Sequence, residues 1–162
     1  MTLMPTIIAA GARAHLDGTP IVRRLDLAFP HAGPNAIRLD QYLLGDDLLV
    51  APFSGGWSAN GSASREVWIP PGRWESAWTG EMIQGPQLLR SEQPLGRIPM
   101  WHRHGGLVIT APVALTVDEQ IWRCLFLEVW PFVDRVSGNR LERMVVREGE
   151  GADDGKPGVA IT

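Results

Sequence analysis

Apolar positions at Leu3, Ile7, Ile8, Ala10, Ala14 and Leu16 recur at helical spacing and predict an amphipathic helix over residues 3–16. Thr2 is its available cap, and Asp17-Gly18 ends it, because Gly enters the left-handed cap conformation without strain. The stretch from Pro20-Ile21-Val22 to Leu27-Phe29 reads as a strand closed by Pro30. Pro34 to Leu44 reads as a short helix, with Pro34 in the first turn and Gly45 as its stop. Helix, strand and helix in succession form the rhythm of an α/β unit.

The pattern changes after Gly45. Leu48-Leu49-Val50-Ala51-Pro52 is a buried-type strand, and Ser54 to Ser64 is a Gly/Ser/Asn loop. Val67-Trp68-Ile69 is a short strand ended by the turn signal Pro70-Pro71-Gly72. Trp74 to Trp78 forms another, turned by Thr79-Gly80, and residues 98–101 and 107–110 form two more around Gly105-Gly106. Short strands between turn clusters predict an antiparallel β domain of sandwich type. A third texture begins near Thr116, where Leu125 to Trp130 is a strand that Leu141 to Val146 is expected to pair. Val159-Ala160-Ile161-Thr162 reads as a strand without an evident partner.

Composition narrows the function classes. The chain of 162 residues is 44% apolar and 20% charged, which excludes disorder of the charged, apolar-poor kind. No apolar run approaches the roughly 20 residues of a membrane helix, so no membrane partner is expected. Fifteen Lys and Arg against 18 Asp and Glu supply no basic face for nucleic acid. Leu3 to Ala12 lacks a preceding cation and contains Pro5, which argues against a signal peptide and for a cytoplasmic rather than secreted location.

Candidate chemistry is sparse. Asp46-Asp47 and Asp153-Asp154 are adjacent in sequence, so on a strand their carboxylates point to opposite faces instead of converging. They are expected to edge or cap their elements. His102 and His104 would share a strand face, but no third metal ligand accompanies them. Cys124 opens an apolar strand and reads as a buried thiol. Asn60-Gly61-Ser62 is a glycosylation sequon with meaning only in a secreted protein. Neither a catalytic residue, nor a metal site, nor a cofactor is therefore assigned. Seven Trp against one Tyr is the unusual count. Trp57, Trp74 and Trp78 are the candidate substrate-binding residues, as indole platforms for sugar, against the plainer reading of Trp as core filling.

Several longer strings are specific as ordered text. His15-Leu16-Asp17-Gly18-Thr19-Pro20-Ile21-Val22-Arg23 leads into Leu25-Asp26-Leu27-Ala28-Phe29-Pro30. Asp40-Gln41-Tyr42-Leu43-Leu44-Gly45-Asp46-Asp47-Leu48-Leu49-Val50-Ala51-Pro52 follows, then Trp68-Ile69-Pro70-Pro71-Gly72-Arg73-Trp74. Trp78-Thr79-Gly80-Glu81, Arg97-Ile98-Pro99 and Gly105-Gly106-Leu107-Val108-Ile109 complete the series. In this order and spacing, over roughly residues 1–135, the chain resembles the C-terminal part of glycoside hydrolase family 31, the α-glucosidase and α-xylosidase family.

The resemblance implies a mainly β chain with an N-terminal α/β piece. Residues 1–45 would be the last helix–strand–helix of a (β/α)8 barrel, 46–115 an antiparallel proximal β-sandwich, and 116–162 the incomplete opening of a distal β-sandwich. It also implies a retaining α-glycosidase acting on α-linked oligosaccharides through an Asp nucleophile and an Asp acid/base. Both lie on earlier barrel strands of the family, the nucleophile in a Trp-x-Asp-Met-Asn type motif that this sequence lacks. Arg24, Ala28, His102, His104 and the run Arg147-Glu148-Gly149-Glu150-Gly151 depart from the family pattern. His31 would edge the catalytic face of a complete enzyme, or simply be a solvent-exposed loop residue.

Three functional expectations follow. The chain is an α-glycosidase fragment that provides scaffold, exposes apolar surface at 3–16 and 19–29, and associates with itself or with a partner supplying the rest of the barrel. The alternatives are a carbohydrate-binding module using exposed Trp and an inert truncated product.

Overall fold

The computed structural model describes residues 2–55, 58, 61–94, 96–116 and 124–130, with the backbone of 144–146 and 159–161. It divides into two compact units, Met1–Trp130 and Pro131–Thr162. In the second, Met144–Val146 pairs antiparallel with Val159–Ile161. The strand at 159–161 thus has a partner, and 144–146 pairs with it instead of with the expected 125–130.

The first unit opens with α1 (Met4–Asp17), which carries Pro5 in its first turn and ends at Gly18 in the left-handed conformation, φ 76°. The Gly18 N–H donates to Ala14 O at 3.0 Å and closes the helix as the pattern predicts. Beyond it lie β1 (Val22–Arg23), the single helical turn α2 (Leu25–Ala28) and a 3-10 turn at Pro34–Ala36. The strand expected over 20–29 therefore contracts to two residues. Leu25 folds inward and is fully buried, and the turn it starts cannot stay extended.

The helix expected over 34–44 is not formed. Tyr42–Leu44 is instead β2, with Leu43 buried between two partly buried neighbours, a period of two. Ile37 and Leu39, which would have formed the apolar face of that helix, point to solvent. Helical spacing of apolar residues competed here with strand pairing on both sides: β2 is antiparallel to β1 and to β3 (Leu48–Val50). The expected boundary at 45/46 falls in the tight turn between β2 and β3.

The remaining strands are β4 (Ser62–Ser76), β5 (Met82–Pro94), β6 (Met100–Arg103), β7 (Leu107–Thr110) and β8 (Phe126–Val129). Of β1 to β8, six form one antiparallel sheet in the order β1-β2-β3-β6-β4-β5, while β7 and β8 pair separately. The described chain is thus mainly β, with few helices and antiparallel sheets.

Pro70-Pro71-Gly72 does not end a strand. β4 runs through it, and the register with β5 shifts between Ile69 and Gly72, so the three residues form a bulge. Gly72 has φ +114°, which disfavours a side chain there. Opposite it, a Cβ on Gly85 would stand 1.8 Å from Pro70 O. The same carbonyl accepts the Trp74 indole N–H at 3.0 Å. β5 itself, 13 residues with mostly exposed positions, carries too little apolar alternation to be read from sequence.

The core gathers Leu25, Ala36, Leu43, Leu49, Ala51, Val67, Trp68, Ile69, Trp74 and Trp101, with Phe29 edge-on to Trp68 at 6.2 Å. One buried polar side chain enters it. Gln41 donates from Nε2 to Trp68 O at 2.7 Å and accepts from Trp68 N–H at Oε1 at 3.0 Å. Its amide thereby replaces a ladder partner for the middle of β4. Thr6 does the same for β7, donating to Ile109 O at 2.7 Å and accepting from Ile109 N–H at 2.9 Å.

Three substitutions test this account. Gln41→Leu leaves the Trp68 N–H and C=O buried without partners, and should lower unfolding free energy by about 1–3 kcal/mol for each group, read by urea denaturation. Gly85→Ala forces the β4 bulge apart and should cost more than the ~3 kcal/mol upper range of ordinary substitutions. Gly96→Ala, where a Cβ meets nothing within 4 Å, should stay within about 0.5 kcal/mol.

Candidate functional site

Asp26, Asp40, Asp46 and Asp47 are held apart, the first three against arginines and the last against a backbone N–H. Asp26 accepts from Arg24 through both oxygens, Nε at 3.0 Å and Nη2 at 2.7 Å. Asp40 is engaged by Arg38 and Arg65, and Arg65 also donates to the Asp40 and Pro52 carbonyls. Asp46 is bound by Arg13 of α1 and Arg23 of β1. Asp47, its neighbour, points into the fold and accepts the Leu107 N–H at 3.1 Å.

Asp46 and Asp47 together form an ionic knot. Arg13 also bonds Asp17 on its own helix at 3.2 Å, Arg23 donates to Gly45 O at 2.8 Å, and Asp47 O accepts the Arg103 N–H at 2.8 Å. The knot therefore joins α1, β1, the β2–β3 turn and the β6–β7 turn. Burial pushes the Asp47 carboxyl above its ordinary value, reinforced by Asp46 and opposed by the Leu107 N–H and by Arg103 and Arg23. Gly106 makes this possible, since a Cβ there would lie 2.5 Å from the Asp47 carboxyl carbon. A perturbed carboxyl can mark an active site, but this one is occupied by a backbone N–H and lines none of the described depressions.

The histidines separate. His102 stacks on Trp130, and His104 lies just past β6 with Nε2 3.2 Å from Glu75 Oε2. Among the described residues, no group of three or more His, Cys, Asp or Glu is placed to hold a metal ion. Cys124 is exposed, not buried as its apolar surroundings suggested: it precedes β8, all four of whose residues are themselves exposed. His31 is exposed in the turn after α2. Asn60, Asp153 and Asp154 lie outside the described residues.

The three candidate platform residues have different fates. Trp57 lies outside the described residues. Trp74 is fully buried, its N–H spent on the Pro70 carbonyl, so neither ring face is open to a sugar. Trp78 remains 39% exposed, fixed by its N–H to Ile98 O at 2.6 Å with the Arg97 guanidinium 5.2 Å from the ring centre. Trp68 and Trp101 are core residues.

Two shallow depressions mark the described surface. One is lined by Pro20, Val22, Arg24, Asp26 and Leu27, the other by Ser64, Arg65, Glu66 and Leu88–Arg90. Both are open, and neither gathers the convergent, unpaired polar groups of an enclosed ligand site. Val22 and Leu27 at the first are exposed apolar side chains, and Ile8, Leu16, Ile37 and Leu39 are exposed as well, the last 84%. Ile8, Leu16, Val22 and Leu27 fall within 3–16 and 19–29, the stretches expected to expose apolar surface.

Comparison with known proteins places these features. The Glycosyl hydrolase family 31 C-terminal domain matches residues 18–108. The chain is 32% identical over 102 residues to the Sulfoquinovosidase of Escherichia coli, covering 63% of this chain and 14% of that protein. It is 33% identical over 109 residues to the human Neutral alpha-glucosidase AB, covering 66% of this chain and 11% of the other. A family 31 dextranase of Flavobacterium johnsoniae, solved in complex with glucose, superposes with a TM-score of 0.75 at 26% identity, over 94% of this chain and 18% of that one. The chain thus spans between 10% and 17% of the length of the curated relatives compared with it. The matched segment takes in the β2–β3 turn with Asp46 and Asp47, the bulged β4–β5 pair and β6, and it exceeds half of the sequence: this chain belongs to glycoside hydrolase family 31.

Proposed function

We propose that these residues are the C-terminal, scaffolding part of a retaining α-glycosidase and do no bond-breaking themselves. One observation carries this reading: Asp26, Asp40, Asp46 and Asp47 are each engaged by an Arg or a backbone N–H. A retaining glycosidase needs two carboxyls about 5–5.5 Å apart across an open substrate site. All four are already engaged, and neither depression described above is lined by two of them. The family membership and the small share of each relative's length support the same reading.

On this reading, residues 1–45 close the end of a (β/α)8 barrel, 46–115 form the proximal β-sandwich and 116–162 begin a distal one. The substrate of the whole enzyme is an α-linked oligosaccharide or glycoside. The relatives favour that class, among them an α-glucosidase, an α-xylosidase and a dextranase solved with isomaltotriose. The exposed apolar side chains between Ile8 and Leu39 then form the face that the rest of the barrel covers. The loss of water from such a face contributes about 25 cal/mol per Å2, enough for it to find another cover when the barrel is absent.

Two measurements test this. The purified chain at high concentration should turn over none of a panel of chromogenic α-glycosides that a full-length family member hydrolyses. Turnover that survives repurification would overturn the reading, and Asp26, Asp40, Asp46 and Asp47 would be the first to replace. In sedimentation velocity the chain should self-associate, and the double substitution Leu16→Ser with Leu27→Ser should shift it toward monomer. A monodisperse wild-type monomer would reject the docking face.

A further inference from the structure

His102 lies on β6 with its imidazole flat against the Trp130 indole, ring centres 3.7 Å apart and planes 7° from parallel. Trp130 directly follows β8. Its N–H donates to Gly106 O at 3.2 Å, and its carbonyl accepts the Gly105 N–H at 2.6 Å. The stack and these two bonds fasten the end of β8 to the β6–β7 turn. The β7–β8 ladder, with Leu107 opposite Val129, is the other hold at that end, and every residue of β8 is exposed, so little apolar burial opposes its release.

The surroundings of the ring are specific. Nδ1 of His102 is buried and has no hydrogen-bond partner. In register, β4 places Glu75 and β3 places Leu48 opposite His102, while β8 contributes Glu128. On its own side, Arg103 follows directly, and His104 is already turned to Glu75. Burial dominates and pushes the imidazole below its ordinary value, against the opposing pull of Glu128 and Glu75.

We propose that the His102–Trp130 stack is a proton-sensitive latch, closed on β8 while the imidazole is neutral and released when it is protonated. A proton would bring a charge and a further N–H into a site where Nδ1 finds no acceptor. Once β8 lifts away, water satisfies both. The released form titrates near the ordinary value of about 6.5, and the closed form binds the proton less tightly. The latch is therefore intact well above that pH and loses ground as pH falls through it, until the closed form protonates as well.

Hydrogen exchange on the full chain, corrected for intrinsic chemistry, reads the latch directly. Between about pH 7 and about pH 5, the window in which His titrates, protection of the 107–110 and 126–130 amides should fall severalfold while the centre of β4 holds. His102→Phe keeps a ring on the indole without a proton to bind, and should abolish the fall. Glu128→Gln keeps an acceptor for the Thr110 hydroxyl but removes a carboxylate that favours the imidazolium, and should enlarge the fall. A wild-type chain with no pH dependence, or His102→Phe with the wild-type dependence, would overturn the latch. Should His102→Phe fail to fold, Glu128→Gln decides, because an unchanged or smaller fall also overturns it.

Discussion

The sheet depends on one closure. Its ladder order places β3 and β6 between β2 and β4, yet Gln41, the residue before β2, bonds both backbone groups of Trp68 in β4. The two strands meet again only because the sheet curls round on itself. A backbone ladder cannot make that join, since the chain at 38–41 is not a strand. Side chains make it instead: Arg38 reaches Glu66, Arg65 holds Asp40, and the Gln41 amide meets Trp68. Inside the curl sit Leu43, Leu49, Val67 and Trp101. Without the amide, the buried centre of β4 would have neither water nor a partner on that side.

Polar side chains standing in for ladder neighbours recur through this unit. Thr6 closes β7 from the helix side, and Asp47 receives the first amide of that strand. The ionic knot around Asp46 then fixes α1 and β1 to the two turns that carry these bonds. Asp26, Asp40, Asp46 and Asp47 are all engaged in such bonds. Their charge is used to hold elements whose own ladders are only two to four residues long. The turns are held by these side chains, and Ile8, Leu16, Val22, Leu27, Ile37 and Leu39 remain exposed on the same unit.

The legible parts of the chain were those whose local pattern and tertiary setting agree. α1 and its Gly18 cap follow from period and cap chemistry, and β3, β6, β7 and β8 from short apolar runs between turns. The family itself was legible because long ordered strings such as residues 40–52 survive in it. The failures have one cause. At 34–44 the apolar spacing suits a helix, but β1 and β3 offer backbone partners and the strand wins. At Pro70-Pro71-Gly72 the residues signal a turn, but Gly85 lets a neighbouring strand pass close enough to absorb a bulge. Trp74 has the composition of a sugar platform, yet the Pro70 carbonyl takes its N–H and the core takes its faces.

The sequence by itself determined the helix at the start, most short strands and the family, because these are written in neighbouring residues. Only the tertiary structure decided which carboxylates are spent on arginines, which indole stays in water, that residues 42–44 extend, and that His102 meets Trp130. Those outcomes are contacts between residues from two positions apart, as in Arg24–Asp26, to 60, as in Asp47–Leu107, and the closing of the sheet, not local preference, sets the longer ones.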